Sequence, residues 1–460
     1  MRNDLAKVVD AGQKLGAEYV DVLAQRLFTT TLTIKDSRVE AVKKGIENGA
    51  AVRVFVNGAW GFASMGTLEN RSLINSVAEA YKMAKAASLQ VKTPGKLADS
   101  RTVEAKVTVK PKKDPKEVSM KEKIDLLLAE DRTIFDYDKR IKSCTINYMD
   151  IAKTDYFTNS FGTYIEQGKL YLLLMSVATA KEADILTISH DLIGYTSGFE
   201  VFDTETPEVI GCRVAKRAVD QLKAKKPKGG TFPAVIGPKV IGIFAHEAFG
   251  HLAEADLTLS GSVLIDKLGK KVASEKVTIY DDGTLDGAFG SFKYDDEGVP
   301  TQKTTLIKNG EIVGLMHNLE TAHKFGTKPT GNARAEDFRY EPIIRMRNTY
   351  LASGDQSFEE LLEEIKFGYY IKDYRGGQAN LDGTFQVGVQ EAYEIVDGEL
   401  GRPVRNVSFS GNTLETLHKV DALGKDFELS VGVCGKGQRA FVGAGGPHTR
   451  VQEVLIGGGA

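Results

Sequence analysis

The chain has 460 residues, long enough for two to three domains, each with its own core. Its 60 Lys and Arg stand against 62 Asp and Glu, so it lacks the basic excess that a nucleic-acid binder carries. Three cysteines at unrelated positions, Cys144, Cys212 and Cys434, exclude a disulfide framework and suit a reducing compartment.

The N-terminus leads into a charged amphipathic helix over residues 4–15, without an apolar signal core. No apolar run is long enough to cross a bilayer, so a cytoplasmic protein with no membrane and no nucleic-acid partner is expected. Strands follow over 19–27 and 29–34, where β-branched and apolar side chains alternate. Asn57-Gly58 between two apolar runs signals a two-residue hairpin, and the lone Trp60 beside it reads as a core or hairpin anchor rather than a ligand-stacking residue. Leu73, Val77, Ala80 and Ala84 recur at helical spacing within 68–87.

The Lys- and Pro-bearing stretch 103–116 reads as an exposed connection, and a helix resumes over 119–131. Residues 143–202 alternate apolar and polar side chains over long spans, the pattern of a broad antiparallel sheet, and a helix over 207–224 closes this half. The basic, Pro- and Gly-bearing run 223–230 reads as a solvated linker. The fold class is therefore α+β. An N-terminal α/β module, residues 1–228, is followed by a strand-rich C-terminal domain, residues 229–460, that carries a buried metal-site helix.

That second part opens with a strand over 232–237 and a helix over 238–255, with Pro238 at a first-turn position. Ile241, Phe244, Ala248, Phe249 and Leu252 make this helix apolar nearly all round, which predicts burial. It also carries His246, Glu247 and His251, polar groups that are costly to bury without partners. Two imidazoles and a carboxylate are what a hydrolytic Zn²⁺ requires: nitrogen ligands that leave a position open, and a base for bound water. Chance spacing, or core histidines satisfied by hydrogen bonds, is the rival reading.

The spacing has a geometric consequence. Positions i and i+5 of a regular helix lie about 140° apart, which would splay the two rings. One extra residue in the turn, a π-bulge, returns them to one face, and Gly250 would ease the distortion. A bulged or unwound turn is therefore expected between His246 and His251.

Beyond this helix, Asn309-Gly310 is a second hairpin signal, and glycines cluster near 376–377, 432–437 and 443–446. These glycines would serve a substrate groove or ordinary turns equally well. A catalytic zinc needs a third protein ligand, and Cys434, in a glycine-rich setting, is one candidate. A structural cysteine is the other reading. Nearby Lys436 is expected to lower the thiol pKa, and Glu254 and Asp256 are candidates for holding an imidazole N–H in the correct tautomer.

The string His246-Glu-Ala-Phe-Gly-His-Leu-Ala-Glu-Ala-Asp256 is followed in order by Asp281-Asp-Gly-Thr284, Tyr294-Asp-Asp-Glu-Gly-Val-Pro300, Thr330-Gly-Asn-Ala-Arg334, Arg345-Met-Arg-Asn-Thr349 and Cys434-Gly-Lys-Gly-Gln438. Together with Gly49-Ala-Ala-Val-Arg53 and Gly58-Ala-Trp-Gly-Phe62, this pattern resembles the TldD/PmbA family, in its TldD-like, metal-bearing branch. The resemblance implies a cytosolic zinc metallopeptidase acting on unfolded or leader-bearing peptides. It makes His246, His251 and Cys434 the zinc ligands and Glu247 the general base. It implies a homodimer, or a heterodimer with a metal-free PmbA/TldE-like subunit. Asn332, Arg334 and Gly435, which lie in these motifs, are candidates for substrate contact. Leu252-Ala253, where a Gly often follows the second His, and the segment 438–442 depart from the usual pattern. Two rivals remain: a non-catalytic peptide-binding or partner subunit, and a closed structural zinc site with Glu254 as fourth ligand.

Overall fold

The computed structural model describes residues 1–92 and 94–458. Its first part is built on long antiparallel strands, the form that sustained alternation favours. Helix α1 (Arg2–Lys14) precedes β1 (Tyr19–Lys35), β2 (Arg38–Val56) and β3 (Ala59–Met65), and α2 (Asn70–Ser88) follows. Strand β1 runs unbroken where two strands were expected. Phe28 and Thr29 to Thr31 are β-prone and include no turn residue, and the strand is paired along both edges, by β2 and by Thr145 to Asn159 further along the chain. Asn57 and Gly58 take φ of 47° and 80°, the left-handed pair that a tight hairpin requires.

The chain continues through β4 (Glu104–Val107), α3 (Met120–Tyr137), β5 (Ile141–Asn159), β6 (Tyr164–Glu182), β7 (Ile185–Tyr195) and α4 (Pro207–Lys223). Within the expected exposed connection, β4 instead pairs in parallel with β6, its Ala105 and Val107 half-buried. The sheet order is β3-β2-β1-β5-β6-β4, with β7 also on β6. Alternation decides which face each residue serves. Val20, Val22 and Ala24 pack under α1 and α2, whereas Asp21, Leu23 and Gln25 point to the opposite face and meet the second half of the chain.

That half begins with β8 (Gly230–Ile236), α5 (Pro238–Phe244) and α6 (Ala255–Leu259). One sheet is formed by β9 (Ile279–Asp282), β10 (Lys303–Lys308), β11 (Glu311–Ile312), β14 (Asn348–Leu351), β20 (Glu428–Gly435) and β21 (Arg439–Gly446), in the order β11-β10-β9-β14-β21-β20. Beside it, β12 (Ala333–Arg334) and β13 (Ile343–Ile344) make a short ribbon. The other sheet comprises β8, β15 (Phe367–Ala379), β16 (Thr384–Val396), β17 (Glu399–Val404), β18 (Val407–Asn412), β19 (Val420–Leu423) and β22 (Thr449–Gly458). Pairing runs β8-β15-β16-β18-β22 and back to β8, so these five strands close on themselves. Phe244 at the end of α5 packs on Phe385 and Phe409 from this ring, in a core shared with Ile241, Ala248 and Phe249.

The helix expected over 238–255 is not continuous. After α5 the chain widens into a π-helical turn, Ala245–Gly250, tightens over His251–Ala253 and becomes extended at Glu254. It stops there because the backbone is claimed elsewhere: Met316 N–H donates to Ala253 and its carbonyl accepts from Ala255 N–H.

Candidate metal centre

The widened turn does what the five-residue spacing demands. It brings the His246 and His251 ring centroids to 5.3 Å, nearly perpendicular, on one side of the helix. His251 N–H donates to His246 carbonyl, the i to i+5 bond of a π turn. Gly250 is required here by close approach, since a Cβ at this position would lie 2.0 Å from Met346 Sδ.

Cys434 arrives from the far end of the sequence, near the end of β20, and is buried. Ligand atoms of His246, Glu247, His251 and Cys434 all lie within 4.8 Å of one another. His251 Nε2 is 3.2 Å from Cys434 Sγ and 3.7 Å from Glu247 Oε2. His246 is 1% exposed, and neither of its ring nitrogens has a hydrogen-bond partner. An imidazole buried with both nitrogens unpaired forfeits solvation on each, a cost that a bound cation at one of them would offset. The donor set fits zinc: two imidazole nitrogens, a thiol sulfur and an adjacent carboxylate.

The electrostatics agree with a thiolate. Burial alone would raise the Cys434 thiol, but the facing His246 and His251 rings outweigh it and bring its pKa down to about 4. Burial opposes charge on His251, yet its hydrogen bonds to Cys434 and Glu254 prevail and raise it to about 10. Lys436 was expected to act on the thiol, but its ammonium is bonded to Asp256 at 2.7 and 2.9 Å and to Ile344 carbonyl at 3.1 Å.

Glu254 is fully buried and holds His251 Nδ1 at 2.9 Å through Oε2. Burial pushes its pKa upward, but His251, Lys436 and Arg345 override this and leave it below the usual carboxylate range. Because that oxygen is on the imidazole, Glu254 is placed behind His251 rather than in the cluster. Asp256 lies further out, on Lys436.

The substrate-contact candidates are placed differently from one another. Asn332 is fully buried, its amide donating to Asp281 and to Arg345 carbonyl. Arg334 spends its guanidinium on the Met346 and Phe441 carbonyls. Neither joins the cluster. Gly435 is exposed beside Cys434, with open space at its Cα. Sequence reasoning missed Arg345, which is 1% exposed and donates to the carbonyls of Cys434 and Gln438. The available signal was two arginines in the apolar run Ile343-Ile344-Arg345-Met346-Arg347, since a charge among such neighbours must be partnered.

Three models of one family match the chain in order. They are described as PmbA/TldA metallopeptidase domain 1 over residues 20–84, the central domain over 113–222 and the C-terminal domain over 229–458. A protein of Methanothermobacter thermautotrophicus named "Metalloprotease" is 42% identical over 446 residues, covering 96% of each chain. A Saccharolobus solfataricus protein named "Zinc metalloprotease TldD homolog" is 34% identical over 455 residues, 98% of this chain and 99% of its own. The crystal structure of TldE from Thermococcus kodakarensis superposes with a TM-score of 0.77 at 22% identity, covering 99% of this chain and all of that one, a likeness of fold.

Proposed function

The chain belongs to the PmbA/TldD metallopeptidase family, and from that premise we propose that it is a zinc-dependent peptide hydrolase acting on unfolded or flexible peptides. The observation that carries this reading is the convergence of His246, His251, Cys434 and Glu247, with both His246 nitrogens unpaired. His246, His251 and Cys434 would hold the ion, and bound zinc would supply Lewis acidity to the scissile carbonyl and to a water. Glu247 projects from the same turn, beside His251, where its carboxylate accepts a proton from the attacking water and returns it to the leaving amine. Glu254 fixes His251 with Nε2 toward the cluster by occupying Nδ1.

Substrate enters this picture through β20. Among the described residues this strand pairs only with β21, so its other edge is free, and it leads directly to Cys434. An extended peptide adding along that edge bonds through its backbone and is read with little regard to sequence. A cavity of about 770 Å³ lined by Glu428 to Val431, Lys239 and Tyr374 provides room beside it. Gly435 is the candidate for close approach of that peptide.

We further propose a cytoplasmic protein working as a dimer, either with itself or with a PmbA/TldE-like subunit of the same fold. No helix among the described residues is long and apolar enough to span a membrane. The partner-subunit reading, in which the chain binds peptide without cutting it, is disfavoured because all four cluster residues are present together.

The deciding experiment compares wild type with Glu247→Ala for zinc content and cleavage of a flexible, casein-like peptide. Retained zinc with activity lowered on the order of 10²–10⁴-fold is expected, as for loss of a general base. Equal cleavage by both proteins overturns the mechanism. Stoichiometric zinc without hydrolysis, even with a PmbA/TldE-like chain supplied, points to the partner-subunit reading.

A further inference from the structure

Cys434 is the one member of the cluster that comes from outside the segment His246–His251. It lies on an edge strand that is mostly half-buried, and its own apolar cluster consists of Ala440 and Val442 alone. Two cations hold the turn that carries it, Arg345 buried and Lys436 half-buried. The Arg345 guanidinium donates 2.9 Å to Cys434 carbonyl and 2.6 Å to Gln438 carbonyl, gripping the chain on both sides of the turn between β20 and β21. Arg345 is itself fixed, because its backbone N–H donates to Asn332 carbonyl and its own carbonyl accepts from the Asn332 amide.

Lys436 stands inside the same turn and reaches the other way. Its ammonium lies 3.1 Å from Glu254 Oε2, the oxygen that is 2.9 Å from His251 Nδ1, and it also binds Asp256. A continuous chain of contacts thus links the thiolate-bearing turn, through Lys436 and Glu254, to the second imidazole.

We infer that Arg345 and Lys436 are positioning residues for the metal centre, clamping the Cys434 turn onto the His251 helix so that the sulfur is presented to the cation at the right distance from both imidazoles. This rests on the proposed zinc site and deepens it. The clamp accounts for a buried Arg345 and a half-buried Lys436 that no reacting group needs. It also accounts for the joint occurrence of Lys436 in the turn and Glu254-Ala255-Asp256 three to five residues after His251. Outer contacts of this kind govern how well a preformed ligand set meets its ion.

The test uses the full chain loaded with Co²⁺ in place of zinc, because a coordinated thiolate gives a near-ultraviolet charge-transfer band that a fold-only role would not move. Lys436→Met keeps the aliphatic stem and removes the ammonium. In protein that stays folded by circular dichroism, it is expected to weaken Zn²⁺ binding by competition titration about 10–100-fold and to diminish the cobalt–thiolate band. Lys436→Arg is expected to restore both, since it keeps a cation within reach of Glu254. Arg345→Gln should act in the same direction, and if it fails to fold, Lys436→Met decides alone. Wild-type affinity and an unchanged band in folded Lys436→Met overturn the clamp. Cys434→Ser separates this from the underlying reading: a wild-type band that survives Cys434→Ser removes Cys434 as a ligand, whatever the clamp variants do.

Discussion

Glu130 shows how one buried group sets a pH response away from the metal cluster. Its carboxyl is fully buried, one oxygen accepts from the Ser176 hydroxyl and the other has no partner. Burial, opposed by the Ser176 bond, pushes its pKa up to about 8 from the ordinary 4.5. A raised carboxyl binds its proton more tightly folded than unfolded, so its contribution is complete below about pH 4.5 and is lost as pH rises through about 8. Melting temperature should therefore fall across that window, and Glu130→Gln, neutral throughout, should flatten the fall. A wild-type profile no steeper than the variant's between those limits would contradict this. Gly250 makes a steric prediction instead. In Gly250→Ala the new methyl meets Met346 Sδ, so a loss of about 1–3 kcal/mol and weaker zinc binding are expected by denaturant titration and competition assay.

At the level of elements, the π turn is the structural device on which the cluster depends. A widened turn is a poor conformation by itself and persists where its surroundings hold it. Thr413 is one such support, its hydroxyl lying 2.9 Å from the carbonyls of both Ala248, in the middle of the turn, and Gly383. Thr413→Val retains the shape and removes the donor; the Gly383 carbonyl keeps its bond from Thr413 N–H, whereas the Ala248 carbonyl loses the hydroxyl. A destabilisation of about 1–3 kcal/mol is expected in equilibrium unfolding. Thr413→Ser, which keeps the hydroxyl, should recover most of that bond; equal losses in both variants would show that the methyl, not the donor, matters.

Across the whole molecule, the first sheet and the C-terminal half are joined by buried ionic contacts. Arg53 pairs with Asp21 at 2.5 Å and reaches Glu297 at 3.2 Å, while Lys169 pairs with Asp155 and reaches Asp296. Gln25 Oε1 accepts from Phe338 N–H, and Trp60 donates to Glu320 from the hairpin it anchors. Removing one member of a buried ion pair leaves an uncompensated charge, so Arg53→Met should cost about 3–5 kcal/mol. Calorimetry should show the first sheet melting earlier in this variant. A single transition at the wild-type temperature would mean that these contacts do not couple the two parts.

Local features of the chain were the legible ones. The Asn-Gly dipeptides produced left-handed turns because only a few residue types tolerate that backbone, and the amphipathic stretches produced helices where 3.6-residue spacing demanded them. The five-residue gap between His246 and His251 implied a widened turn, since no regular helix puts those rings together. The sequence by itself therefore determined the α+β class, the hairpins and the local shape of the histidine turn, all set by dihedral preference and periodicity over a few residues. Where local patterning ran out, tertiary contact decided. Strand β4 forms because β6 offers it an edge, and the helix stops before Glu254 because Met316 takes its backbone bonds. Tertiary structure alone set Cys434 Sγ 3.2 Å from His251 across 183 positions and turned Lys436 to Glu254 rather than to the thiol. Such distances follow from strand order and sheet closure, which no short window of residues encodes.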